Sequence, residues 1–269
     1  MRRVVPYVIL TAFTAAILVP FVLIALTAFK TQPELAAGAF ALPDTLHWQN
    51  FSTAWTEGRF GVYFMNSVIV VVPVVAASLL LCTLAGYAFA YLPLPGRGLL
   101  IGLLLLGMIV PLEGLIIPMY YNLRGVGLLN TYWALILPQV ALSIPFGTYL
   151  MWITFQGLPE EVVDAAVVDG ATQVTVLWKV LVPMAKPAIG ALTIFFFIWT
   201  WNEFLIPLVL ISDDRLRTLP VGLAFFQGRY TANIPVLAAG ATVVAAPLIA
   251  VYLVFQRQFI RGLVAGAVK

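Results

Sequence analysis

Apolar residues in this chain gather into six long runs separated by polar segments. A helix needs about 20 mostly apolar residues to cross the hydrocarbon core of a bilayer, so each run predicts a membrane span. The first, Val4–Phe29, carries no charge and follows Arg2 and Arg3. It outlasts the apolar core of roughly 7–15 residues found in a signal peptide, so it is expected to stay in the mature protein. Later spans are predicted at Phe64–Tyr91, Leu99–Tyr121, Tyr132–Phe155, Pro187–Ile211 and Pro235–Phe255. Between spans 2 and 3, Pro93-Leu94-Pro95-Gly96-Arg97-Gly98 predicts a tight basic turn, because proline and glycine break the helix. Longer polar segments run from Lys30 to Arg59, Gln156 to Lys186 and Ser212 to Asn233, and a tail covers Gln256–Lys269. Apolar helices in lipid must satisfy their own backbone hydrogen bonds. The predicted fold is therefore all-α: a polytopic membrane protein, a six-transmembrane-helix bundle, forming one domain over residues 1–269.

Composition agrees with that pattern. Of 269 residues, 62% are hydrophobic and 9% charged, with a mean hydropathy of +1.04. Soluble domains carry about 25% charged residues, which sets this chain in the membrane class. A net charge of +3 and a pI near 9.1 do not point to nucleic acid when charges are so few. The lysines and arginines are better read as loop topology. With both termini cytoplasmic, 8 of them fall inside (Arg2, Arg3, Arg97, Lys179, Lys186, Arg257, Arg261, Lys269) and 6 outside (Lys30, Arg59, Arg124, Arg215, Arg217, Arg229). Cys82 is the only cysteine, so no internal disulfide or cysteine metal cluster is expected. His47 is the only histidine and lies near turn-forming residues, Leu42-Pro43-Asp44. No metal site and no cofactor is expected.

One polar segment is unusual. Glu160, Glu161, Asp164 and Asp169 crowd a short helix-prone stretch between two spans. Pro159 suits a first helical turn, where its missing N–H is not needed. Glu160 and Glu161 follow where negative charge complements the helix dipole. Ala165 and Ala166 are small enough for another surface to approach the backbone, and Gly170 offers the left-handed conformation that ends a helix. A second helix is expected over Thr172–Val182, broken by Pro183 and Pro187 before span 5. The segment reads either as a docking element for a soluble partner or as a solvated connector.

Its spacing resembles the cytoplasmic "EAA" loop of bacterial ABC importer permeases: E-A-A, three residues, G, nine residues, then I-x-L-P. Here the pattern is Asp164-Ala165-Ala166, Gly170, and Val180-Leu181-Val182-Pro183, with Asp for Glu, Val180 for Ile and Val182 for Leu. Further stretches resemble the carbohydrate branch of that family, closest to the smaller six-span maltose-type permease. They are Phe64-Met65-Asn66-Ser67, Ala85-Gly86-Tyr87-Ala88-Phe89-Ala90, Gly125 to Tyr132, Trp201-Asn202-Glu203-Phe204, Thr218 to Leu223 and Gly262 to Lys269. The resemblance implies a permease of the bacterial or archaeal cell membrane that imports a sugar or sugar-like solute. It implies a second homologous permease subunit completing the pathway, a dimer of ATPase subunits at the cytoplasmic face, and an extracytoplasmic solute-binding protein. The coupling residues would be Glu160, Glu161, Asp164, Ala165, Ala166, Asp169 and Gly170, within a cytoplasmic loop of about 156–187. Asp213–Asn233 would reach toward the binding protein and Gly262–Lys269 toward the ATPases.

Ionisable residues inside spans usually face a cavity or a partner. Glu113 in span 3 and Asn202 with Glu203 in span 5 are therefore candidate pathway residues, the alternative being packing against a second subunit. An ion-coupled secondary transporter is the competing function, but such proteins usually carry internal repeats and none is evident. Enzyme chemistry lacks its residues: there is no H-E-x-x-H, no G-x-S-x-G and no phosphate-cradling G-x-x-x-x-G-K-[ST]. ATP hydrolysis is expected on partner subunits.

Overall fold

A computed structural model describes residues 4–229 and 233–267. In chain order the helices are α1 (Val4–Thr27), α2 (Gln32–Ala37), α3 (Gln49–Thr56), α4 (Phe60–Tyr91), α5 (Arg97–Gly107), α6 (Leu112–Gly125) and α7 (Tyr132–Gln156). They continue as α8 (Glu160–Val168), α9 (Gln173–Thr175), a π-helical turn (Val176–Leu181), α10 (Val182–Met184), α11 (Lys186–Asn202) and α12 (Leu205–Leu210). A 3-10 turn (Asp214–Leu216), α13 (Leu219–Arg229) and α14 (Ile234–Ala267) complete the order. Among the described residues there is no strand, as the apolar runs predicted.

Among the described residues four helical stretches are long and apolar enough to cross a membrane unbroken: Pro6–Thr27, Phe60–Tyr91, Tyr132–Gln156 and Ile234–Val254. Two bent pairs raise the number to six. The predicted span 3 is not one helix. It breaks between α5 and α6 with a 97° bend. Pro111 sits extended at φ −68°, ψ 138°, and proline also steers its preceding residue away from helix, so the ladder stops there. The predicted span 5 also breaks: α11 ends at Asn202, Glu203 is extended, and α12 follows. Pro183 does not end the preceding helix as expected. It lies within the first residues of α10, where no N–H is required, and the chain turns by 78° at Ala185 instead. The polar segments hold more structure than their composition suggested, with α2 and α3 in the first and α13 in the third.

The chain packs as two compact units, Met1–Asn66 with Arg217–Ile249, and Ser67–Leu216 with Ala250–Lys269. In the first unit, α1 ends in a tethered loop. Lys30 is fully buried, its Nζ donating to the carbonyls of Gly38 and Ala39 at 3.1 and 3.0 Å. Asn50 donates to the carbonyls of Ala28 and Lys30. Thr31 and Glu34 form a capping box on α2, and the Thr31 N–H holds the Glu34 carboxyl below its ordinary range.

Two apolar cores lie among the described residues of the second unit. One joins Val70 and Val74 of α4, Ile116 of α6, Ala134 to Ile136 of α7, and Ile206, Leu210 and Ile211 around α12. The other joins Cys82, Met151, Phe155, Val176, Leu177, Leu181, Ala185, Leu192 and Phe196. Beside this second core α4 crosses α7 at close range: a Cβ on Gly86 would lie 2.5 Å from Met151 Cβ and 2.9 Å from the Trp152 nitrogen. Small residues at helix crossings in lipid allow this backbone approach.

Candidate coupling site and pathway residues

The acidic helix forms as its residues dictate. Pro159 precedes α8 in extended backbone, and Glu160 and Glu161 occupy the first turn. At the far end Gly170 takes φ +81°. The Ala171 N–H reaches back to the Ala166 carbonyl and the Gly170 N–H to the Val167 carbonyl, both at 2.9 Å. This is a Schellman ending, which satisfies the last carbonyls and needs a left-handed residue at Gly170. Space does not select glycine there, since nothing lies within 4 Å of a Cβ. The conformation does. Thr172 then caps the next helical segment, its Oγ1 accepting from the Thr175 N–H at 3.3 Å.

The two faces of α8 differ. Val163 and Ala166 pack against the core formed by Phe155, Val176, Leu177 and Leu181. Glu160, Glu161, Asp164, Ala165, Asp169 and Gly170 are exposed, as are Val167 and Val168. Ala166 thus supports the helix from within, while Ala165 lies on its open face. Sequence spacing grouped the two alanines, and only the fold separates them. Trp178 and Val174, on the following helical segment, are also exposed.

The candidate pathway residues lie at the helix breaks within predicted spans 3 and 5. Glu113 is exposed in the first turn of α6, just past the bend. Glu203 bridges α11 and α12, its Oε1 accepting from the Ile206 N–H at 3.0 Å. That bond satisfies a donor at the start of α12, where a carboxylate also meets the positive helix end. Asn202 is exposed and donates its Nδ2 to the Ile198 carbonyl at 2.8 Å. The structure brings Asn202 and Glu203 together only as chain neighbours with different jobs. Among the described residues no group of three or more His, Cys, Asp or Glu could hold a metal ion.

One residue without an assigned role in the sequence reading organises a loop pair. Asn130 sits at φ +56° in the turn between α6 and α7. Its Oδ1 accepts from the Ser212 and Asp213 N–H groups at 2.6 and 3.0 Å, and its own N–H donates to the Leu210 carbonyl at 3.2 Å. The available signal was its residue type in a glycine-rich turn, since asparagine tolerates the left-handed region. Nearby, Asp213 forms an ion pair with Arg215 at 2.8 Å and raises the guanidinium pKa. The tail Gly262–Lys269 ends in two residues outside those described, and Tyr230 to Ala232 of the Asp213–Asn233 loop also lie outside them.

Known proteins resemble the chain along its length. Residues 82–264 match the family described as binding-protein-dependent transport system inner membrane component. The diacetylchitobiose uptake system permease protein NgcG of Streptomyces coelicolor is 35% identical over 267 residues, covering 98% of this chain and 87% of its own. The arabinooligosaccharides transport system permease protein AraQ of Halalkalibacterium halodurans is 35% identical, covering 96% of this chain and 94% of its own. In a crystal structure of a bacterial ABC transporter involved in the import of the acidic polysaccharide alginate, one chain matches with a TM-score of 0.79. It is 25% identical and covers 95% of both chains. By these matches the chain belongs to the inner membrane components of binding-protein-dependent transport systems, as a multi-pass permease subunit of an ATP-binding-cassette importer.

Proposed function

We propose that this permease imports a sugar or sugar-like solute and acts as a single transmembrane domain over residues 1–269. The relatives named for diacetylchitobiose and arabinooligosaccharides support a carbohydrate cargo. A second homologous permease completes the pathway. No residue in the apolar window of α1 is buried by its own chain, so this helix meets lipid or another subunit. Asp213–Asn233 serves an extracytoplasmic solute-binding protein, both termini lie in the cytoplasm, and the tail Gly262–Lys269 contacts the ATPases. The chain catalyses nothing itself.

The observation that carries the proposal is the two-faced geometry of α8. Its inner face is anchored through Val163 and Ala166, while the outer face presents Glu160, Glu161, Asp164, Ala165 and Asp169. A short helix held rigidly on one side and open on the other suits insertion into a groove of a partner ATPase. Glu113 and Asn202 border the pathway at the two span breaks. Irregular backbone is tolerated at membrane depth only where it is buried in protein or lines a cavity. Glu203 shapes the second break through its bond to Ile206.

The test is ATPase capture. Ala165→Arg sets bulk and charge on the open face without touching the inner core. Gly170→Asp forces a Cβ residue to positive φ, at about 1 kcal/mol or more, and re-aims the helix. Both variants should insert in the membrane yet lose the co-purifying ATPase or the dependence of its hydrolysis on transport. Normal capture and normal uptake by both would make the segment a passive connector.

A further inference from the structure

The turn between α4 and α5 grips the end of α7, the helix that leads into α8. It contains a tight reversal: the Arg97 N–H donates to the Leu94 carbonyl at 3.3 Å, Pro95 follows Leu94, and Gly96 takes φ +71°, ψ 17°. Proline at the second position and a left-handed glycine at the third define a type II turn. This reversal brings the first residue of α5, Arg97, back against the last turn of α7. The guanidinium lies 5.4 Å from the centre of the Trp152 ring. The donors around Gln156 fix its amide orientation: Oε1 accepts from Arg97 Nη2 at 2.6 Å and from Trp152 Nε1 at 3.3 Å. On the other side of the turn, the Tyr91 hydroxyl, at the end of α4, donates to the Phe155 carbonyl at 3.0 Å.

Two side chains flanking one rigid turn therefore hold Trp152, Phe155 and Gln156 of α7. α8 begins at Glu160, only a few residues further on. A carbonyl in the last turn of a helix is an ordinary place for a hydroxyl to bond. The arginine is different, because one guanidinium lies over the indole within cation–π range and donates to the amide at the same time. A lysine could supply the charge but not that geometry.

The same turn begins α5, which runs to the bend at Met108–Pro111 and on to α6. Bonds at Tyr91 and Arg97 thus tie the root of the acidic helix to the base of the first broken span. We infer that Arg97 and Tyr91 are positioning residues that transmit movement of α8 through the α4–α5 turn to the bend between α5 and α6. The inference rests on the reading of α8 as the ATPase-docking helix. It adds a route distinct from the packing of α8 on the π-helical turn, which leads instead to α11.

The test uses the assembled complex of both permeases, the ATPases and the binding protein, with Cys82→Ala and a single cysteine at Ile109. Ile109 is 75% exposed on its own chain within the bend, and the rate at which a membrane-permeant maleimide labels a cysteine there reports on that site. The probe is ATP with orthovanadate, and the readout is the change in labelling rate on trapping. Tyr91→Phe keeps the ring and removes only the bond. Arg97→Ala removes the cation–π contact and the donor together, and Arg97→Lys keeps the charge. The double variant Tyr91→Phe/Arg97→Ala should still capture the ATPases and trap nucleotide, yet lose about fivefold or more of the labelling response. Tyr91→Phe/Arg97→Lys should recover part of it. An undiminished response in the double variant overturns the inference, and so does loss of ATPase capture by Tyr91→Phe, which would make the contacts purely structural. Gly170→Asp in the same cysteine background separates the two ideas. If it keeps capture and the full response, the docking reading fails whatever the clamp does.

Discussion

Asn130 shows how much one polar side chain can hold at the end of a membrane bundle. It accepts two N–H groups from the segment after α12 while its backbone sits at φ +56°. Alanine would lose both bonds, each worth about 1 kcal/mol in net stability, and would carry left-handed strain of about 1 kcal/mol more. The exposure of Ser212 lets water replace part of the loss. Asn130→Ala should therefore lower the unfolding temperature in detergent by an amount equivalent to about 1–2 kcal/mol. Asn130→Asp retains the acceptor and should stay close to the parent. A destabilised Asp variant beside an unaffected Ala variant would show that the Oδ1 bonds contribute nothing.

At the element scale, the crossing of α4 and α7 governs the second core. Gly86 leaves no room for a side chain between Met151 and Trp152, and the last turn of α7 beyond them carries the root of α8. Gly86→Leu should push the helices apart, destabilising the chain by about 1–3 kcal/mol as overpacked cores do. A thermal melt of the purified complex measures this. Unchanged stability would mean the two helices slide freely past one another. The breaks in spans 3 and 5 belong to the same scale. Each has a visible local cause, Pro111 in one and the extended Glu203 in the other, and each leaves a carboxylate at a new helix start.

For the molecule as a whole, sidedness decides every proposed partner. With both termini inside, residues 156–187 face the cytoplasm, while Lys30–Arg59 and Ser212–Asn233 face outward. Single cysteines at Glu57, Asp164 and Ser212, all exposed, in a Cys82→Ala chain test this. An impermeant maleimide applied to intact cells should label Glu57→Cys and Ser212→Cys and spare Asp164→Cys until the membrane is opened. Labelling of Asp164→Cys alone in intact cells would invert the topology and remove α8 from reach of any cytoplasmic ATPase.

Much of this was legible in the chain before any coordinates. Long apolar runs with few charges allow only helices in lipid, because no other local structure satisfies the backbone there. The acidic helix and its stop at Gly170 were equally readable, since propensity, dipole and positive φ are local properties. Packing was not. Which alanine of α8 turns inward depends on the core it meets, and Ala166 packs against the core that contains Phe155 and Leu177 only because α7 and the π-helical turn bring that core there. The role of Glu203 was hidden for a related reason: an apolar run conceals a helix break, and only the break exposes the Ile206 N–H that the carboxylate caps. The grip of Arg97 and Tyr91 on α7 joins residues some 60 positions apart in sequence, a distance no periodicity reports. Local chemistry determined the elements of this protein; their mutual contacts, set by burial and close packing between distant segments, decided what each residue does.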